Sequence, residues 1–168
     1  MSDFALPLGF ALLVWWTATA IVMFLDGLPQ RTFRWTLLGT TVLQAAALYG
    51  LWKTRTDTSV AGAYLAFTCA VLTWGWQEIF FLTGAITGPR RSACAAGCSG
   101  WRHFRHGVQA ILHHELSLLV AGVVLIAIGW NAPNPVGMWT YLVLWGMRQS
   151  AKLNLFLGVR NLYESFLP

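Results

Sequence analysis

The sequence predicts an all-α membrane protein: one integral domain over residues 1–168, folded as a bundle of about five transmembrane helices. Three observations predict it. Of 168 residues 57% are hydrophobic and only 10% are charged, with a mean hydropathy of +0.57. A soluble domain carries about 25% charged residues, so this chain cannot cover a water-facing surface. Apolar runs recur five times at the length of roughly 20 residues that a bilayer core about 30 Å thick requires. Turn-forming residues bound each run, and backbone amides in hydrocarbon must bond within their own segment, so the runs are helices.

The first run covers 4–25 and follows "MSDFALPL", whose acidic residue and missing basic flank do not read as a cleaved leader. "DGLPQR" ends it. The second run, 36–52, closes at "KTRTDTS", and the third, 60–86, at "TGPRRSACAAGCSGWRHFRH". The fourth, 107–130, is separated by "NAPNP" from the fifth, 136–158. Pro and Gly stop helices, and Asn and Asp accept turn conformations. Trp35, Trp52, Trp101, Trp130 and Trp139 fall near the expected interfaces, where indoles gather.

The net charge is +5 and the pI about 9.6. In a membrane protein this balance points to loops held against anionic lipid rather than to nucleic acid. Arg31, Arg34, Arg90, Arg91, Arg102, Arg105 and Arg160 fall on one side, and Lys53 and Arg55 on the other. The positive-inside rule makes the arginine-rich side cytoplasmic. The N-terminus is then outside (periplasmic, if the membrane is a bacterial inner membrane) and the C-terminus cytoplasmic, in a multi-pass protein.

Ionisable groups inside the runs are the candidate site. At 1.5 Å per residue, Glu78 and Glu115 are expected about 12 Å, Arg148 about 15 Å and Lys152 about 9 Å from the cytoplasmic ends of their runs. Each unpaired charge near mid-membrane costs about 2.5–3.5 kcal/mol, so four would cost on the order of 10 kcal/mol or more. Pairing is therefore expected. Arg148 and Lys152, spaced i,i+4, share a helix face, and Glu78 and Glu115 come from two other helices. Gln77, Gln109, Asn154, His113 and His114 add polar atoms. One reading of this cluster is glue between helices. Another is a ligand site: His114 or His113 could ligate the metal of a tetrapyrrole, with a neighbouring carboxylate orienting the ring. Trp15, Trp16, Trp74, Trp76 and Trp145 lie inside runs, either packing helices or offering flat surfaces to a planar ligand.

The third connection carries Cys94 and Cys98 in a C-x3-C spacing, then His103 and His106. The set resembles a Cys2His2 zinc site only loosely; the alternative is two reduced thiols. Arg102 and Arg105 alternate with Trp101 and Phe104, and with Arg90 and Arg91 they suit anionic lipid or an acidic partner. Phosphate-binding, zinc-protease and serine-hydrolase signatures are missing. His and Glu are adjacent at 114–115 rather than spaced i,i+3 as in carboxylate-bridged metal bundles.

"DGLPQRTFRW" (26–35), "DTSVAGAYLAFTCAVLTWGWQE" (57–78), "TGPRR" (87–91), "HEL" (114–116) and "SAKLNLFLGV" (150–159) carry a further signal. Together they resemble the photosynthetic complex assembly proteins of purple and related phototrophic bacteria, whose genes accompany that of the reaction-centre H subunit. Cys94 and Cys98 match that pattern; His103 and His106 do not, and Arg160 stands where the family has Pro. Family members run further after "FLP", so the chain is expected to be a fragment or a shortened member. The resemblance implies a non-enzymatic membrane factor for assembly of the reaction-centre and light-harvesting complex, or for bacteriochlorophyll supply. Its cofactor would be bacteriochlorophyll, another tetrapyrrole or a carotenoid. Its partners would be membrane lipid and reaction-centre subunits, light-harvesting subunits or pigment-biosynthesis enzymes. The residues leave two alternatives open: a metal-dependent membrane oxidoreductase acting on a pigment precursor, and a proton or solute carrier.

Overall fold

The computed structural model describes residues 2–92 and 100–158, with side chains over 4–92 and 100–152. Five α-helices and one short 3-10 turn, and no strand, occur among the described residues: α1 (Ser2–Asp26), a turn at Gln30–Thr32, α2 (Phe33–Thr54), α3 (Val60–Leu82), α4 (Gly100–Gly129) and α5 (Val136–Gly158). Three are long and apolar enough to cross a membrane: α1 over Phe4–Asp26, α3 and α4. Five spans were expected. α2 is diluted by Thr36, Thr40, Thr41, Gln44 and Thr54, and α5 by Arg148, Gln149 and Lys152. The α2 hydroxyls turn inward on their own helix: Thr40 donates to the Thr36 carbonyl (2.8 Å), Thr41 to Leu37 (2.7 Å) and Thr54 to Gly50 (2.8 Å).

Local chemistry sets the ends. Ser59 caps α3, its hydroxyl accepting from the Gly62 amide at 3.0 Å. Asp57 accepts from the Ser59 amide at 2.9 Å, and the Ser59 hydroxyl and amide hold its carboxyl below the ordinary range. At the far end α3 stops at Leu82, four residues before the expected Ile86. Gly84 takes a left-handed φ of +74°, and the amides of Thr83, Gly84 and Ile86 return to the carbonyls of Ile79, Phe81 and Phe80. α4 begins at Gly100, seven residues earlier than expected, so its basic first turns are helical. Asn131 (φ 57°) turns the chain after α4. Buried Asn134 then fastens α5 to α2: its amide group donates to the Thr54 carbonyl at 3.0 Å and its oxygen accepts from the Val136 amide.

α3 is the hub, packed against the other four helices. The core joins Ala47 and Leu51 of α2, Cys69, Ala70 and Trp74 of α3, Leu118, Ala121 and Leu125 of α4, and Tyr141 of α5. Cys69 packs there as a small hydrophobe. α1 rides on the outside of α3, with Phe10 stacked on Tyr64 at 4.4 Å, and keeps most of its apolar surface exposed.

Candidate functional site

Polar side chains bridge α3, α4 and α5 at several levels of the bundle. Nearest the centre, the fully buried Tyr141 of α5 donates its hydroxyl to the Leu118 carbonyl of α4 at 2.9 Å. Trp74 meets the Tyr141 ring edge-on at 5.6 Å. One turn on, α3 and α4 exchange two hydrogen bonds: Ser117 donates to the Gln77 side-chain oxygen (2.6 Å) and the Gln77 amide donates to the Ser117 carbonyl (3.3 Å).

The charged level follows. Arg148 of α5 pairs with Glu78 of α3 at 2.5 Å, and Lys152 of α5 pairs with Glu115 of α4. Gln149 adds a hydrogen bond to the second Glu115 oxygen at 2.9 Å. The four charged side chains are 18–26% exposed. The Arg148 guanidinium also lies over Trp74 (6.0 Å) and Phe81 (5.6 Å), where ring faces favour a cation. One helix thus holds two neighbours through opposite pairs of charge, and the level is neutral as a whole.

Its depth differs from the expected one. Because α3 ends at Leu82, Glu78 stands four residues, about 6 Å, from the helix end. The following segment does not leave the bundle but lies along α4. Its Thr87 carbonyl accepts from the His114 amide at 2.9 Å, and its Arg90 amide reaches the Gln109 carbonyl at 3.4 Å. Buried Gly88 makes this approach possible, since a Cβ there would run into the Gln109 carbonyl oxygen. The non-helical stretch therefore lies along α4 past the charged level, with two of its backbone groups paired to that helix. Sequence reasoning missed this strap; "TGP" signalled only a break.

The two histidines part company. His114 is fully buried, its ring 4.5 Å from that of Phe81, and neither ring nitrogen has a hydrogen-bond partner among the described residues. It has no face open to an external ligand. His113, one residue earlier, is exposed on the outer face of α4. The structure therefore brings Glu78, Glu115, Arg148 and Lys152 together, with His114 beneath them, and leaves His113 outside.

Of the interior tryptophans, Trp74 joins the site and Trp145, one turn before Arg148 on α5, packs on the core. Trp76 sits at the α2–α3 seam, donating to the Thr41 hydroxyl at 3.2 Å. Trp15 and Trp16 lie on α1, away from the charges, and Trp16 is 71% exposed. The side chain of Asn154 and both Cys94 and Cys98 fall outside the described residues. Among the described residues no three His, Cys, Asp or Glu side chains gather as metal ligands.

The arginines Arg31, Arg34, Arg90, Arg91, Arg102 and Arg105 flank the helix ends joined by the α1–α2 and α3–α4 connections, which lie at one end of the bundle. Arg34 stacks on Trp35 at 5.2 Å. At the opposite end Lys53 and Arg55 lie over Trp52 at 5.3 and 4.9 Å.

No solved structure matches the chain. The chain is similar to an uncharacterized 30.4 kDa protein in the puhA 5′ region of Rhodobacter capsulatus, 35% identical over 159 residues. The match covers 92% of this chain and 58% of that relative, so the chain spans less than two thirds of the relative's length. A family described as protein of unknown function (DUF3623) matches residues 1–168, and the chain belongs to that family.

Proposed function

We propose that the chain is a non-enzymatic factor of the bacterial inner membrane that serves assembly of the photosynthetic reaction-centre and light-harvesting complex, or bacteriochlorophyll supply to it. The observation that carries this reading is the relative's position in the puhA 5′ region, the neighbourhood of the reaction-centre H-subunit gene. A non-enzymatic role is favoured by how the charges are spent: each carboxylate of the charged level is held by a cation from α5, which suits fixing helices more than moving protons. In this reading α2 and α5 cross the bilayer with the three more apolar helices. Much of their polar content is met inside the bundle, the Thr40, Thr41 and Thr54 hydroxyls by carbonyls of α2 and the Arg148, Gln149 and Lys152 side chains by Glu78 and Glu115. The arginine-rich end is cytoplasmic. The exposed apolar surfaces of α1 and α4 are where lipid or partner helices lie.

Deleting the gene in its phototrophic host tests this. Near-infrared absorbance of the membranes should fall several-fold at the reaction-centre and light-harvesting bands, with transcripts of those subunits unchanged. Complementation should restore it. Wild-type absorbance in the deletion strain overturns the proposal.

A further inference from the structure

The α4 surface poses a problem that the charged level does not solve. His113 is exposed and has no hydrogen-bond partner among the described residues. It lies six residues past Gly107, about 9 Å into the apolar run that follows the basic turns. Its neighbours on that face, one, two and three turns on, are Leu116 (50% exposed), Val120 (63%) and Val124 (38%). The helix is long and apolar enough to cross a membrane, and in the membrane reading above this imidazole faces hydrocarbon, where a polar group without a partner is unfavourable. An external partner must therefore meet it.

The partner's chemistry is constrained by what surrounds the ring. Toward the basic turns the same face carries Gln109 and His106, one and two turns back, and past His113 it is apolar. A bare metal ion needs several protein donors, and no trio of His, Cys, Asp or Glu exists among the described residues to supply them. A metal already bound in the plane of a macrocycle needs one axial ligand and an apolar wall. Neutral imidazole has the lone pair for the first, and the Leu116, Val120 and Val124 side chains form the second.

We propose that His113 is the axial ligand of a metallo-tetrapyrrole lying flat on the outer face of α4. This assigns the ligand role to His113 rather than to the enclosed His114. It rests on the membrane reading above and names the ligand class that an assembly or supply factor would hold.

The probe is zinc(II) tetraphenylporphyrin added to the detergent-solubilised full chain, because axial imidazole red-shifts its visible bands. The wild-type protein should produce a saturable red shift at one equivalent. His113→Leu should abolish it while leaving the melting temperature unchanged, since the side chain is exposed. His114→Leu should retain it. Metal-free tetraphenylporphyrin should discriminate poorly between wild type and His113→Leu. No shift with the wild type, or an undiminished shift with His113→Leu, overturns the inference. Those results leave the deletion phenotype untouched, and a silent deletion strain leaves the spectrum untouched, so the two proposals fail separately.

Discussion

At the scale of single residues, the adjacent histidines show how one step along a helix decides chemistry. Successive positions turn by about 100°, since 3.6 residues make a turn. His114 consequently faces Phe81 and the strap while His113 faces out. The sequence marks both as polar atoms in an apolar run, but depth along the run does not say which of the two points inward. A buried imidazole with two unpartnered nitrogens costs about 1–3 kcal/mol relative to an apolar side chain of similar shape. His114→Leu should therefore raise the stability of the purified protein by roughly that amount, read by thermal unfolding in detergent. A comparable loss would show instead that the imidazole is held by hydrogen bonds.

At the scale of elements, α3 ends at Leu82, earlier than its apolar run. Hydropathy continues through Ala85 and Ile86, so the sequence places the helix end there. The structure ends it at Leu82 because Gly84 adopts a left-handed φ of +74° that closes the last turn. Glycine's permissiveness was legible; its use at this position was not, because it depends on where the strap must go. The strap depends on Gly88, whose missing side chain lets the backbone meet α4 at Gln109 and Ala110. Gly88→Val should lift the strap from α4 and cost about 1–3 kcal/mol, as overpacking does. Hydrogen exchange at the His114 amide should rise with it. An unchanged exchange rate at that amide would mean the strap is not seated on α4.

At the scale of the whole molecule, much was legible because few forces act. Scarce charge, five apolar runs and their breaks predict an all-helical protein, and the two carboxylates and two cations inside those runs are paired, Glu78 with Arg148 and Glu115 with Lys152. What sequence could not give is lateral arrangement. Depth alone put Trp15 and Trp16 in the charged layer, but α1 packs on the outside of α3, so they stand at a distance from it. Nor could it show that α5 serves both carboxylates, Arg148 holding α3 and Lys152 holding α4. That double clamp is the claim on which the rest stands. The most direct measurement is a double-mutant cycle on Glu78→Gln and Arg148→Met, read as unfolding free energy in detergent. Removing one partner of a buried pair costs about 3–5 kcal/mol, and these groups, about a fifth exposed, belong at the lower end. The double variant should lose well under the sum, leaving a coupling of about 0.5–3 kcal/mol. Losses that simply add would contradict the clamp.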